Sequence, residues 1–422
     1  LPPRNIPTRI LPPERAPPAA PQTPSHPLHL PRPLQCIATL SLMLAAPGLA
    51  AQSTFVVSPT PGPDVDFADL PAAVAAAAPG ARIALRTGNY TPTTISKGLE
   101  IRGRGDVTFA DGRLLISGIP FDQQLILRDV DLSGSLREGS ATRLEVAQCL
   151  GAVHLESVSM DLTTQTTFST AVGVRIRLSV RVSMTRCSVE GASCVSLEVG
   201  TATLTDCNLT ATASGLLGNS TGVPGLTVGF GSMAAVHGGA FKGSGVNANG
   251  GGRTAPGILA QGALRLGGRA TTVTAGDAAP SSNGAPAVQA FSSAAGLGGS
   301  VIDPDVQLTP SVGSPAVAGP AQVRSVPAAR WTSPEWLPVP LVTVDGPPNT
   351  LYGIVANPPI GALVTELGVL GVDPINLQIV GVGFTNASGE SITALLPAGL
   401  TPGPLACIQP VFLREFGPRL GV

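Results

Sequence analysis

The stretch VSMTRCSVEGASCVSLEVGTATLTDCNLTA, residues 182–211, decides the fold because one short pattern occurs in it twice. In VSMTRCSVEG (182–191) and in ATLTDCNLTA (202–211), apolar residues alternate with polar ones. A period of two is typical of a half-buried β-strand. Two earlier copies, LILRDVDLSG (125–134) and VHLESVSMDL (153–162), give offsets of 28, 29 and 20 residues between successive copies.

The four aligned copies define columns of equivalent positions. Three columns are apolar: Leu127, Leu155, Met184 and Leu204; Val130, Val158, Cys187 and Cys207; and Leu132, Met160, Val189 and Leu209. A polar column is predicted to face outward: Asp129, Ser157, Arg186 and Asp206. Weaker copies begin at Ile101 and Ala235. Repeated strands at such spacings predict an all-β solenoid whose strands pair in parallel, about 4.8 Å apart.

Two contacts between neighbouring copies follow from this alignment. Arg186 is placed beside Asp206, where we expect a surface ion pair worth at most about 1 kcal/mol. Cys187 is placed beside Cys207, with a Cα separation inside the disulfide window of roughly 4.4–6.8 Å. A disulfide and a pair of buried thiols both fit, because free Cys packs as a small hydrophobe.

The segment before the repeats, residues 66–109, begins with DFADLPAAVAAAAPGARIALRTGNYTP (66–92). We expect a helix over 66–80 that covers the open end of the solenoid. Asp66 or Asp69 can act as its N-cap, and Pro71 is tolerated in the first turn. One predicted helix face carries Phe67, Leu70 and Val74. Gly80 is placed where a helix C-terminus favours a left-handed residue.

This opening segment resembles that of the pectin-lyase-like right-handed parallel β-helix proteins. There a short helix is followed by a strand-turn of the form A..GA.I.L..G.Y and a first coil of the form GL.I.G.G. The matching positions are Ala73–Ala78, Gly80, Ile83, Leu85, Gly88, Tyr90, Ile95, Leu99, Ile101, Gly103 and Gly105. The resemblance implies a right-handed parallel β-helix, and it covers catalytic and non-catalytic proteins alike.

Five regions are predicted along the chain. Residues 1–32 hold eleven prolines and predict a disordered extension, because such a segment buries too little surface to offset its ordering entropy. Residues 33–51 have the features of a secretory signal peptide, with cleavage near Ala50. The parallel β-helix is assigned to 52–318, a Pro/Ala-rich linker to 319–340, and a small antiparallel, sandwich-like β domain to 341–422.

The composition limits the classes of partner that the chain is expected to bind. The net charge is −1, so nothing favours nucleic acid or an anionic membrane. The apolar run of the signal is interrupted at Pro47 and Gly48, short of the about 20 residues that a spanning helix needs, and no other segment looks transmembrane. After removal of Cys36, five cysteines remain without metal-ligand spacing, so no metal site and no cofactor are expected. Extracellular polysaccharide or a cell-surface component is the expected partner.

Candidate catalytic residues are few. Carbohydrate-active β-helices that the chain resembles use calcium-binding acidic clusters with an Arg or Lys base, or clustered Asp pairs. Asp129 and Asp131 are the nearest equivalent, but we expect them on a solvated face. His154 and His237 are expected to be hydrogen-bonded or surface residues, and Trp331 and Trp336 to pack at a domain junction.

Two hypotheses about function remain. The first is a secreted or cell-surface β-helix without catalytic activity that takes part in adhesion or polysaccharide binding. The alternative is a polysaccharide lyase, glycoside hydrolase or esterase with a diverged site. No catalytic, cofactor-binding or metal-binding residue is predicted for either.

Overall fold

A computed structural model of the chain describes residues 53–133, 142–163, 171–212, 222–245, 254–278, 284–291, 299–323 and parts of 326–420. The described residues form an all-β structure with one helix and one large sheet of 20 strands. The predicted extension 1–32 and signal peptide 33–51 lie outside the described residues.

The large sheet contains β1–β20, and the helix α1 lies between its first two strands. Its elements are β1 (Thr54–Val57), α1 (Leu70–Ala76), β2 (Arg82–Tyr90), β3 (Thr94–Ile95), β4 (Glu100–Phe109), β5 (Leu114–Ser117), β6 (Gln124–Asp131), β7 (Thr142–Ala147), β8 (Ala152–Asp161), β9 (Val172–Thr185), β10 (Ser188–Gly191), β11 (Ser193–Ala211), β12 (Leu226–Val228), β13 (Met233–Lys242), β14 (Ile258–Ala260), β15 (Ala263–Thr274), β16 (Val288–Ala290), β17 (Ser300–Ile302), β18 (Gln307–Thr309), β19 (Val317–Ala318) and β20 (Ala321–Val323).

All described pairings within this sheet are parallel, and most of them belong to two ladders; in addition, β10 pairs with the ends of β8 and β11, and β18 pairs with the end of β15. The first ladder runs through β1, β2, β4, β6, β8, the second half of β9, the second half of β11, β13, β15, β17 and β20. One of its columns is Phe55, Ile83, Ile101, Leu127, Leu155, Met184, Leu204, Val236, Leu266, Ile302 and Val323. The predicted alignment of Leu127, Leu155, Met184 and Leu204 is therefore confirmed.

The second ladder runs through β3, β5, β7, the first halves of β9 and β11, then β12, β14, β16 and β19. Its buried column is Ile95, Ile116, Val146, Ile176, Leu197, Val228, Ala260 and Ala290. Side chains from both ladders belong to one continuous apolar core. Burial of these alternating residues is the main force that holds the strands in register.

Four strands, β8, β9, β11 and β10, pair in a closed cycle. The cycle arises because β10 continues the line of β9 after a bend at Arg186 and Cys187, so both strands lie between β8 and β11.

The predicted outward column marks a bend of the chain in β6, β8 and β11 and between β9 and β10. Asp129, Ser157, Arg186 and Asp206 all have left-handed φ angles of 52–55°, and the next position, Gly238, has a φ of 68°. The next residue, Gly239, has a φ of 88°, and a Cβ there would lie 2.0 Å from the Cys207 carbonyl oxygen, so that position requires glycine. The residues just after the bends, Val130, Val158, Cys187 and Cys207, are buried as predicted.

The helix is shorter than the predicted 66–80. It begins at Leu70 because the Asp69 side chain accepts a hydrogen bond from the Leu70 N–H at 2.8 Å, which decides between the two predicted N-caps. It ends at Ala76, and Lys97 Nζ donates to the Ala77 carbonyl at 2.6 Å. The predicted role of Gly80 as the helix stop is wrong, since its left-handed φ of 82° lies in the turn before β2.

The helix face is also smaller than predicted. Leu70, Ala73 and Val74 are buried in the core, whereas Phe67 precedes the helix and packs edge-on against Phe55 at 5.4 Å between ring centroids. Asp66, next to Phe67, occupies backbone groups of the edge strand β1. Val56 N donates to the Asp66 carboxylate, and the Val56 carbonyl accepts from the Asp66 N–H at 2.8 Å. An edge strand whose groups are occupied in this way is a poor template for pairing with another chain.

The last strands, β21–β29, pair only antiparallel in the described part of the chain, in sheets of three, four and two strands. They are β21 (Ala328–Trp331), β22 (Leu341–Asp345), β23 (Leu351–Asn357), β24 (Pro359–Thr365), β25 (Gly368–Val372), β26 (Gln378–Phe384), β27 (Ala394–Leu395), β28 (Cys407–Arg414) and β29 (Gly417–Leu420). Within the segment 319–340, predicted as a linker, β20 belongs to the parallel sheet and β21 pairs with β22.

Candidate functional site

The outer face of the second ladder carries a surface depression of about 300 Å³. It is lined by Arg113, Leu115, Ser117, Glu145, Ala147, Gln148, Arg177 and Leu178. These side chains come from β5, β7 and β9, from the residue before β5, and from the turns that follow β7 and the first half of β9. Alternation places them outside because Leu114, Val146 and Ile176 of the same strands point into the core.

Glu145 is the most buried charged residue of this depression, with 8% of its side chain exposed. One carboxylate oxygen lies 2.6 Å from Arg113 Nη1, and the other lies 3.5 Å from Arg177 Nη1. The two guanidinium groups offset the cost of burying this carboxylate, which is large for an isolated ion. Glu145 is consequently fixed between strands β5 and β9.

A second carboxylate joins the same network. Glu198 of β11 lies 3.3 Å from Arg175 Nε and 3.4 Å from Arg177 Nε. Arg177 therefore bridges Glu145 and Glu198, with about half of its own side chain exposed. We call Arg113, Glu145, Arg175, Arg177 and Glu198 the charged network. It presents fixed donors and acceptors to a ligand that approaches this face.

An apolar corner borders the charged network where the chain passes from the second ladder to the first. Among the described residues, seven of the ten exposed large apolar side chains lie at this corner. We call them the corner ridge: Phe121, Leu150, Leu178, Val180, Val199, Phe230 and Phe291. Exposed apolar side chains gathered in one region of a folded chain mark an interaction site more often than a single exposed Leu does.

Arg143, on β7, is fully buried and serves the fold rather than the depression. Its guanidinium donates to three backbone carbonyls: Leu132 O at 2.6 Å, Phe109 O at 2.8 Å, and Gly112 O. Burial lowers the pKa of Arg143, and the charges of Asp111 and Asp131 oppose this shift. One side chain thus ties the ends of β4 and β6 to the start of β5.

The two residues weighed as a catalytic acidic pair, Asp129 and Asp131, do not converge. Asp129 lies in a bend and pairs with Arg102, with 3.3 Å between Oδ2 and Nε. Asp131 instead accepts a hydrogen bond from the Ser133 N–H at 2.9 Å. The left-handed bend at Asp129 breaks the alternation that would place positions i and i+2 on one face. Each carboxylate therefore has its own structural partner.

The predicted contact of Arg186 with Asp206 is wrong. Arg186 is adjacent to Asp206 in the column, but its guanidinium pairs with Glu156, whose carboxylate also lies 2.8 Å from Arg128 Nε. Glu156 lies on β8, one strand before Arg186, and its side chain is less exposed than that of Arg186. The long Arg186 side chain therefore reaches back to it across one strand spacing.

The two histidines lie on the first ladder. His154 Nδ1 is 2.6 Å from Ser183 Oγ on the neighbouring strand, and the ring is half-buried. His237 is buried beside Gly267. Trp331 lies in β21 and Trp336 lies outside the described residues, so the prediction that they pack at a junction stays a prediction.

Cys187 and Cys207 are buried free thiols on adjacent strands, which favours the thiol alternative over the disulfide. The neighbouring Cys187 thiol, together with burial, raises the pKa of Cys207. Burial also raises the pKa of Cys149 and of Cys194, which are free as well. Their sulfurs belong to the core, so none of the four thiols is exposed for chemistry.

In the described ranges, no group of three or more His, Cys, Asp or Glu side chains lies close enough to share a metal ion. No helix in this part of the chain is long and apolar enough to cross a membrane.

Sequence reasoning missed the charged network, although a signal for it was present. The segments TRLEVA (142–147), VRIRLS (174–179) and VSLEVG (195–200) alternate in the same way as the four aligned copies. Their alignment places Glu145 opposite Arg175, and Arg177 opposite Glu198, as the structure does. The buried position of Arg143 had no comparable signal, because its carbonyl partners lie 11–34 residues away.

Comparison with known proteins adds no relative. No protein-family profile matches the chain, and no curated protein matches it.

Proposed function

We propose that this chain is an exported or cell-surface protein, folded as a right-handed parallel β-helix, that binds extracellular polysaccharide without turning it over. Two ladders of parallel strands, each pairing mostly with the strand two further along the chain, support the β-helix. So does the single core that both ladders share. Export rests on the signal peptide predicted at 33–51, and secretion of a reporter fused behind residues 1–51 tests it.

The observation that carries the binding proposal is the combination of the charged network with the depression beside it. Sugar hydroxyls accept from guanidinium groups and donate to carboxylates, and both groups are fixed here by their mutual contacts. Leu115, Ala147 and Leu178 line the same depression, so the apolar C–H face of a sugar ring finds apolar partners. Ligand sites commonly combine such apolar walls with a few fixed polar groups.

The binding test uses the purified chain with pectins, alginates and sulfated glycans in affinity electrophoresis and calorimetry. We expect at least one polymer to bind, and Arg113→Ala and Glu145→Gln to weaken its binding about tenfold or more. Lys242→Ala is the matched control, because Lys242 is a half-exposed charged residue on β13, outside the depression. If no polymer binds, or if the two variants bind as the control does, the proposal is wrong.

One observation favours the alternative, a carbohydrate-active enzyme. Glu145 and Glu198 are two carboxylates held by the same arginine, and glycoside hydrolysis uses a pair of carboxylates. The same polymers are therefore incubated with the chain, with and without calcium, and assayed for reducing or unsaturated ends. Turnover that Glu145→Gln abolishes would replace the binding proposal with the enzyme.

A further inference from the structure

Cys187 and Cys207 are held side by side by the backbone that carries them. The Arg186 N–H donates to the Thr205 carbonyl at 2.9 Å, and the Asn208 N–H donates to the Cys187 carbonyl at 2.8 Å. These two hydrogen bonds flank the two cysteines, so their Cα atoms lie about one strand spacing apart, roughly 4.8 Å. That separation is inside the window of roughly 4.4–6.8 Å in which a disulfide forms.

The two side chains meet inside the core. Cys187 is 1% exposed, and Cys207 is fully buried. A hydrogen bond between the two thiols lowers the pKa of Cys187 and raises that of Cys207, so Cys187 is the thiol that ionises first. A thiolate beside a second thiol is the arrangement that thiol–disulfide exchange requires.

The other two described cysteines have no cysteine beside them. Cys194 lies opposite Gly173 of β9. Cys149 lies at a corner, where its N–H donates to Ser179 Oγ at 3.2 Å. Among the described residues, Cys187 and Cys207 are therefore the two cysteines that the fold places within reach of one disulfide.

We propose that Cys187 and Cys207 join in a disulfide when the chain folds in an oxidising compartment, and that burial then preserves whichever form was present at folding. The free thiols of the structure are the reduced form. A dissolved disulfide does not reach sulfurs that are buried to this extent, so exchange has to come before the core closes. The bond ties β11 to the turn between β9 and β10, and the proposal does not depend on polysaccharide binding.

The oxidant is a second disulfide, such as oxidised glutathione or the disulfide of a thiol oxidoreductase. The Cys187 thiolate attacks one sulfur of this disulfide, so that a mixed disulfide forms and one thiolate leaves. The Cys207 thiolate then attacks Cys187 Sγ, which forms the internal S–S bond and releases the second thiolate. Two electrons pass to the external disulfide, and the two thiol protons go to the two leaving thiolates.

The experiment compares two samples of the full, reduced chain. One is kept native with oxidised glutathione, and the other is unfolded in urea and refolded in the same glutathione. Both are then alkylated in urea and cut after glutamate, which separates the three cysteines 187, 194 and 207 because Glu190 and Glu198 lie between them. We expect at least about tenfold more of the Cys187–Cys207 cross-linked peptide in the refolded sample than in the native one.

A chain with both Cys149→Ala and Cys194→Ala is the matched control, and it should cross-link as the parent chain does. A chain that does not refold is instead produced with and without export to a bacterial periplasm, and the two products are mapped in the same way. The absence of a cross-link from the oxidised product, or a cross-link from Cys187 to another cysteine, would overturn the proposal. Equal cross-linking of the native chain would overturn the part that burial plays.

Discussion

Replacing Arg143 with methionine should destabilise the fold more than replacing any exposed arginine does. The guanidinium of Arg143 donates to three backbone carbonyls from three separate turns, and it is 1% exposed. Methionine is similar in length and removes the charge, but it leaves the carbonyls of Phe109, Gly112 and Leu132 without this donor. The change therefore isolates the hydrogen bonds from the space that the side chain fills.

The expected size follows from two opposing effects. Three hydrogen bonds from a charged donor are worth about 1.5–3 kcal/mol each, or roughly 4–9 kcal/mol together. Burial of the guanidinium costs several kcal/mol, which Arg143→Met recovers. The difference is a loss of about 3 kcal/mol in the free energy of unfolding. Arg143→Lys should be no better, because an ammonium group keeps the buried charge and cannot reach three separated carbonyls.

The assay is urea unfolding followed by far-ultraviolet circular dichroism, with the denaturant slope fitted for each variant. Arg82→Met is the control, since Arg82 is mostly exposed and its pair with Glu100 should contribute no more than about 1 kcal/mol. A loss below about 0.5 kcal/mol in Arg143→Met, or an Arg143→Lys variant as stable as the parent, would refute the reasoning.

Three further predictions concern backbone strain, protonation and thiol burial. Val199→Asn should raise the free energy of unfolding by about 1 kcal/mol at low protein concentration, because asparagine tolerates the left-handed φ of 54°; thermal unfolding that shows a loss would contradict this. The Thr163 hydroxyl and N–H lower the pKa of Asp161, so this carboxylate contributes stability above the pKa of an unfolded aspartate and loses it as pH falls through its folded value. In Thr163→Val, an NMR titration should show the pKa of Asp161 moving up towards its ordinary value, and an unchanged pKa would exclude the hydroxyl as the cause. Burial raises the pKa of Cys149 and Cys194, so alkylation of the native chain at pH 8, mapped by mass spectrometry, should leave both unmodified until urea is added; rapid native labelling would show that the core is open there.

The strand columns were predictable because they depend on a local property. Period-two alternation assigns each residue of a strand to the core or to the surface, whatever the rest of the chain does. The sequence alone was therefore enough to align Leu127, Leu155, Met184 and Leu204. An N-cap at Asp66 or Asp69 was predictable for the same reason, since a cap needs only a short side chain beside its own helix, and the structure decides for Asp69.

The surface contacts were only partly predictable: strand alignment places Arg177 opposite Glu198, but long polar side chains also choose among partners on several strands. Arg186 reaches Glu156 rather than Asp206, and Arg177 reaches both Glu145 and Glu198. The left-handed bend at Asp129 separated it from Asp131; Asp tolerates this conformation, but nothing in the sequence predicts that Ser157 and Arg186 adopt it as well.

The sequence by itself determined that this chain folds into stacked parallel strands around an aliphatic and sulfur-lined core. Only the tertiary structure decided that Arg143 joins three turns, that Arg177 bridges two carboxylates, and that apolar residues gather at one corner. The physical reason is the range of each interaction. The alternation within one strand is enough to assign its residues to the core or to the surface. These contacts, in contrast, form only when the stacking register brings distant segments together.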